Sequence, residues 1–130
     1  MTSNRIASTA GALLFAVIGV WGLVASLAPA DPKLGPLIAG ALATSIPLAT
    51  LQLGIAAALA IGAVLGERVA RPVNVAVGTL LLALGLFGLF VISTPANVLA
   101  LNGAANVVHF ASSSALLATG LGGAKPAPRD

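Results

Sequence analysis

The stretch Leu80-Leu81-Leu82-Ala83-Leu84-Gly85-Leu86-Phe87 is apolar at every position, and that uniformity decides the fold. A strand of a membrane β-barrel alternates polar and apolar side chains over roughly ten residues, so a continuous apolar run excludes one. A buried strand of a soluble sheet would need a water-facing surface elsewhere in the chain, and there is none. Of 130 residues 58% are hydrophobic and 7% charged, with a mean hydropathy of +1.09, whereas a soluble domain has about a quarter charged residues. The only other architecture that satisfies every backbone group in lipid is the helix.

The charges mark where lipid ends, because one at the centre of a spanning helix costs roughly 2.5 to 3.5 kcal/mol on insertion scales. Working outward from residues 80–87, no charge occurs between Arg71 and Lys125, between Lys33 and Glu67, or between Arg5 and Asp31. A span takes about 20 apolar residues, so the longest gap holds two helices and the others one each. The prediction is an all-α polytopic membrane protein, a single domain of four transmembrane helices in a bundle over 1–130. The spans fall at about 6–27, 37–65, 72–92 and 104–121, followed by a flexible cytoplasmic tail at 122–130. Pro29-Ala30-Asp31-Pro32 stops the first helix, and Pro72 suits the first turn of the third. Pro47 falls inside the second, where it would kink the helix or mark its true start. Ala28-Pro29-Ala30 resembles a signal-peptidase site, but the preceding apolar stretch is longer than the usual 7–15 residues of a leader, so it is read as a span.

Orientation follows from Lys and Arg. Arg5, Arg68, Arg71, Lys125 and Arg129 lie on one face, and Lys33 alone lies on the other. The expected address is the cytoplasmic membrane of a bacterium with both termini cytoplasmic. The net charge of +3 comes from few side chains, and with four Phe, one Trp and no Tyr it builds no nucleic-acid surface.

In lipid, helices associate through close backbone approach at small residues and through hydrogen bonds. Gly54, Ala58, Gly62 and Gly66 recur every fourth residue on the second helix and form its predicted contact stripe, for internal packing or for docking a partner. Ala7, Gly11, Phe15 and Gly19 form a matching stripe on the first. Gly78, Gly85 and Gly88 lie on the third helix, and Ala111, Ala115 and Thr119 on the fourth.

The informative polar residues are few. Asn102, Asn106 and His109 are spaced to share one face at the start of the fourth helix, followed by Ser112, Ser113 and Ser114. Ser45 and Gln52 on the second helix repeat the separation of Asn102 and His109. Two helix-pair halves, 1–66 and 67–121, are therefore suggested, with Gln52, Asn102, Asn106 and His109 as a polar intramembrane cluster. His109 is expected to bond Asn106, Asn102 or a backbone carbonyl, and Ser112 to Ser114 the carbonyls one turn back. One histidine and no cysteine are too few for a zinc site or for two haem ligands. A Ser-His-carboxylate set would need Asp31 to reach His109. No enzyme, metal or cofactor is expected.

The run from Asn102 to His109 resembles the second-half motif, Asn-x-x-Asp-Asn-x-x-His, of a family of small four-helix membrane proteins of unknown function abundant in actinobacteria. Asn102, Asn106 and His109 match it, and Ala105 stands at the Asp position. The related first-half motif, Asn-Pro-x-His-Asn-x-x-His, meets Ser45, Ala49 and Gln52 at its Asn, inner Asn and final His positions. The resemblance implies a fold and a membrane setting, and no activity. The expected role is an accessory or scaffold subunit that packs against other membrane proteins or against itself, surrounded by membrane lipids. The alternative is a small lipid or quinone binder using Gln52, Asn106 and His109.

Overall fold

A computed structural model describes residues 1–122. It is all-α apart from one short hairpin: α1 (Ser3–Leu27), β1 (Leu37–Ile38), β2 (Leu42–Ala43), α2 (Ile46–Leu65), α3 (Glu67–Val91) and α4 (Gly103–Leu121). Among the described residues α1, α2 and α3 are long and apolar enough to cross a membrane. The tail expected at 122–130 lies, from 123 onward, outside the described residues.

Each helix starts at a side-chain cap, with one exception. The oxygens of Thr2, Ser45 and Asn102 accept from the backbone N–H groups of Arg5, Leu48 and Ala105, filling donors that the first turn leaves free. The exception is α3. Gly66 alone separates it from α2, at φ +100° and ψ −178°, a left-handed region that glycine reaches at no steric cost. The Gly66 carbonyl accepts from Val69 and Ala70.

Two expected boundaries need correction. Of the two starts left open for the second helix, Leu37 and the neighbourhood of Pro47, the helix takes the later. Pro47 occupies the first turn of a helix that begins at Ile46, where its missing N–H removes no bond. Residues 37–43 pair instead as an antiparallel hairpin, Leu37 with Ala43 and Ile38 with Leu42, turning through Ala39 and Gly40 at positive φ. The third helix starts at Glu67, not Pro72. The Gly66 turn makes an earlier start available, Glu67 in the first turn complements the helix dipole, and the helix runs on through Pro72.

Helices α1 and α2 pack as one pair and α3 and α4 as another. The glycines show how closely. A Cβ on Gly19 would fall 2.8 Å from Leu53 and one on Gly22 3.1 Å from Ala49. At equivalent positions of the second pair, a Cβ on Gly85 would fall 3.0 Å from Phe110 and one on Gly88 would overlap the Asn106 amide. The caps repeat as well: Ser45 donates to Leu99 O across to the second pair, and Asn102 donates to Ala41 O across to the first. Arg5 Nε donates to Ala63 O at the end of α2, and Arg71 Nε to Gly120 O at the end of α4. These correspondences fix the two helix-pair halves as structural repeats. Between them, Phe15, Ile55, Leu59, Leu81 and Leu116 form a packed hydrophobic middle layer.

The pairs are joined at one end by buried polar groups. Asn74, fully buried, donates to Asn4 O and Asn4 Oδ1 at 3.0 Å and accepts from Ser8 Oγ at 2.7 Å. Asn4 in turn donates to Glu67, which also accepts from Thr2.

Two stability predictions follow from this packing. Gly88→Ala forces Asn106 aside and should cost about 1–3 kcal/mol, whereas Gly54→Ala meets open space and should be neutral or gain up to about 1 kcal/mol of helix propensity. Asn74→Leu strands Asn4 and Ser8 and should cost about 1–3 kcal/mol. Unfolding in mixed micelles, followed by circular dichroism, measures all three variants.

Candidate functional site

The polar cluster expected near the start of α4 separates into three environments. Gln52, Asn106 and His109 are each at least 95% buried. Asn102 is not among them: its Oδ1 caps α4 and its Nδ2 donates to Ala41 O at 2.9 Å. It therefore secures the hairpin to the top of α4. Asn106, one turn on, faces Gly88 of α3, while His109 faces a chamber between α1, α2, α4 and the hairpin.

Ile18, Ile38, Leu42, Gln52, Ala105 and His109 are the main walls of that chamber, which holds about 10 Å³. A single water needs roughly this much room. The expected bond from His109 to a neighbouring amide or carbonyl is not made at Nδ1, which has no partner. Gln52 Oε1, both amide atoms of Asn106 and Thr44 Oγ1 are likewise buried without partners. The reason is geometric. The close approach of α3 at Gly88 holds Asn106 to the α3 side, away from His109. Buried polar atoms are paired in the great majority of cases, and each one left unmade costs about 1–3 kcal/mol, so this concentration at one end of the bundle is unusual.

The serines after His109 also divide. Ser114 donates one turn back to Phe110 O, but Ser113 crosses to α3 and donates to Gly78 O at 2.7 Å. Asp31 stays in its own loop, its Oδ1 accepting from the N–H groups of Lys33 and Leu34. It does not orient His109. Among the described residues no three His, Asp or Glu side chains come together.

The predicted α2 stripe splits in the same way. Gly62 lies inside, where a Cβ would fall 3.2 Å from Ala70 Cα, whereas Gly54 is exposed with nothing within 4 Å. Ala58 is half-buried and Gly66 is the link to α3. Ala111 and Ala115 of α4 are exposed and line an open groove against Ala7 and Gly11 of α1.

The sequence reading missed Asn4, Ser8, Asn74 and Thr44. Asn74 carried a usable signal, an amide set among the apolar residues of a spanning helix, where polar side chains turn inward and pair. Thr44 carried none, since a threonine before a helix cap reads as ordinary loop chemistry.

No curated protein and no solved structure matches the chain. Residues 5–122, nearly all of the described chain, match the sequence model of a domain of unknown function, DUF4383, and the chain belongs to that family.

Proposed function

We propose that the protein is a non-enzymatic integral membrane subunit, an accessory or scaffold element that packs against another membrane protein or a second copy of itself. The observation that carries this reading is Gly54. It lies in the middle of α2, exposed, with nothing within 4 Å of its Cβ position. A mid-helix glycine costs about 1 kcal/mol relative to alanine, and no contact inside this chain accounts for it. Thr50, Ala57 and Ile61 are exposed beside it, on the same helical face. That face is narrow enough for a neighbouring helix to approach closely, the usual way helices associate in lipid.

The wider reading follows the charges. The contacts of α4 with α3 at Gly78, Gly85 and Gly88 support a fourth span running alongside α3. The arginines at residues 5, 68 and 71 then mark the cytoplasmic side of a bacterial inner membrane, with both termini on that side.

The orphaned atoms of Gln52, Asn106 and His109 favour a second reading, a binder of a lipid or quinone. A chamber of about 10 Å³ admits neither as it stands, so this reading requires the hairpin at 37–43 to lift.

Native mass spectrometry of the protein released from its own membrane in mild detergent tests both readings. Packing predicts a stoichiometric protein partner or a homo-oligomer, and its loss in Gly54→Leu, which places a large side chain on the contact face. A strict monomer would defeat it. For the second reading the decisive variant is Gln52→Leu. If the chamber is only packing, removing an orphaned polar atom leaves the melting temperature unchanged or raises it, and no bound mass is lost. If a defined small-molecule mass disappears with Gln52, the protein is a binder.

A further inference from the structure

At the charged end of the bundle the two repeats present the same arrangement twice. In the first, Arg5 Nε donates to Ala63 O at 2.8 Å, and an apolar groove of about 480 Å³ runs from Arg5 between α1 and α2 past Ala12, Leu13 and Ala60. In the second, Arg71 Nε donates to Gly120 O at 2.9 Å, and a groove of about 450 Å³ runs from Arg71 between α3 and α4 along Val75 and Ala76. In each repeat the carbonyl takes one N–H and anchors the guanidinium at the groove mouth, while the two terminal amino groups have no hydrogen-bond partner among the described residues.

The charge at each mouth is positive. A helix C-terminus carries roughly half a negative charge, which a full guanidinium charge outweighs. Glu67 lies in the field of both Arg5 and Arg71 and offsets part of it, but one carboxylate faces two guanidiniums, so this end stays net positive. A planar cation with free paired donors suits a phosphate, and the apolar channel below each one lies along helices apolar enough to span lipid. We infer that Arg5 and Arg71 head two equivalent sites for anionic phospholipid, each taking the headgroup phosphate on the guanidinium and an acyl chain in the groove. The charge complements the phosphate, and the groove suits the chain attached to it.

Two such sites set a stoichiometry. Full-length protein, delipidated and then exposed to phosphatidylglycerol, should retain two lipids per chain in native mass spectrometry, with at least a tenfold preference over phosphatidylcholine. Arg5→Gln and Arg71→Gln should each reduce the count to one and the double variant to none. Arg68→Gln is the control, because Arg68 is exposed on α3 and lines neither groove, and it should still retain two. The arginines also bond helix ends, so Ala60→Phe and Ala76→Phe, which fill the grooves and keep both charges, should each remove one lipid while circular dichroism stays unchanged. Equal retention of phosphatidylcholine, or the same loss in Arg68→Gln, would overturn the sites in favour of diffuse surface charge. Inorganic phosphate retained at the same count without lipid would overturn the lipid assignment in favour of a soluble anion.

Discussion

The buried amide of Asn74 holds the two helix pairs in register. It lies where α1 and α3 meet, and its two ends are matched by different residues of α1: Ser8 donates to the oxygen and Asn4 accepts from the nitrogen. Within lipid a polar group has no water to fall back on, so the register that satisfies Asn74 is strongly favoured over any slipped one. The helix-to-helix glycine contacts, the hydrophobic layer at Phe15 and Leu81, and the meeting of the caps at the opposite end all depend on that alignment.

The repeats differ where a site would form. At the Asn74 end the polar groups are matched and closed. At the hairpin end, equivalent positions hold Gln52 in one repeat and His109 in the other, and Ala49 against Asn106. The unpaired atoms nevertheless fall in both repeats, Thr44 Oγ1 and Gln52 Oε1 in the first and those of Asn106 and His109 in the second. The largely apolar layer between the two ends is crossed by one buried polar contact, from Ser113 to Gly78 O.

Much of the architecture was legible in the sequence because lipid applies a one-dimensional rule: charges delimit spans whatever the tertiary fold. The helix count and the two-pair organisation followed from that rule and from the matched spacing of Ser45 with Gln52 and Asn102 with His109. The hairpin did not, since Leu37 to Ala43 is as apolar as a span and only the turn through Ala39 and Gly40 shows that the chain folds back. The extended start of α3 depended on one glycine torsion. At the site, sequence spacing put Asn102, Asn106 and His109 on one face of α4, but it could not separate the cap at Asn102, the surface facing α3 and the surface facing the chamber. That division is set by where Gly88 lets α3 approach. Gly54 shows the same limit, because a four-residue period does not say which member of a stripe turns outward.

The single-residue link at Gly66 has a topological consequence. With one glycine between them, α2 and α3 are tied like the spine of a book, while α1 and α4 share no covalent connection and form its open fore-edge, along the groove where Ala7 and Gly11 meet Ala111 and Ala115. Relative movement of the repeats must turn about that spine and part the leaves at the opposite seam.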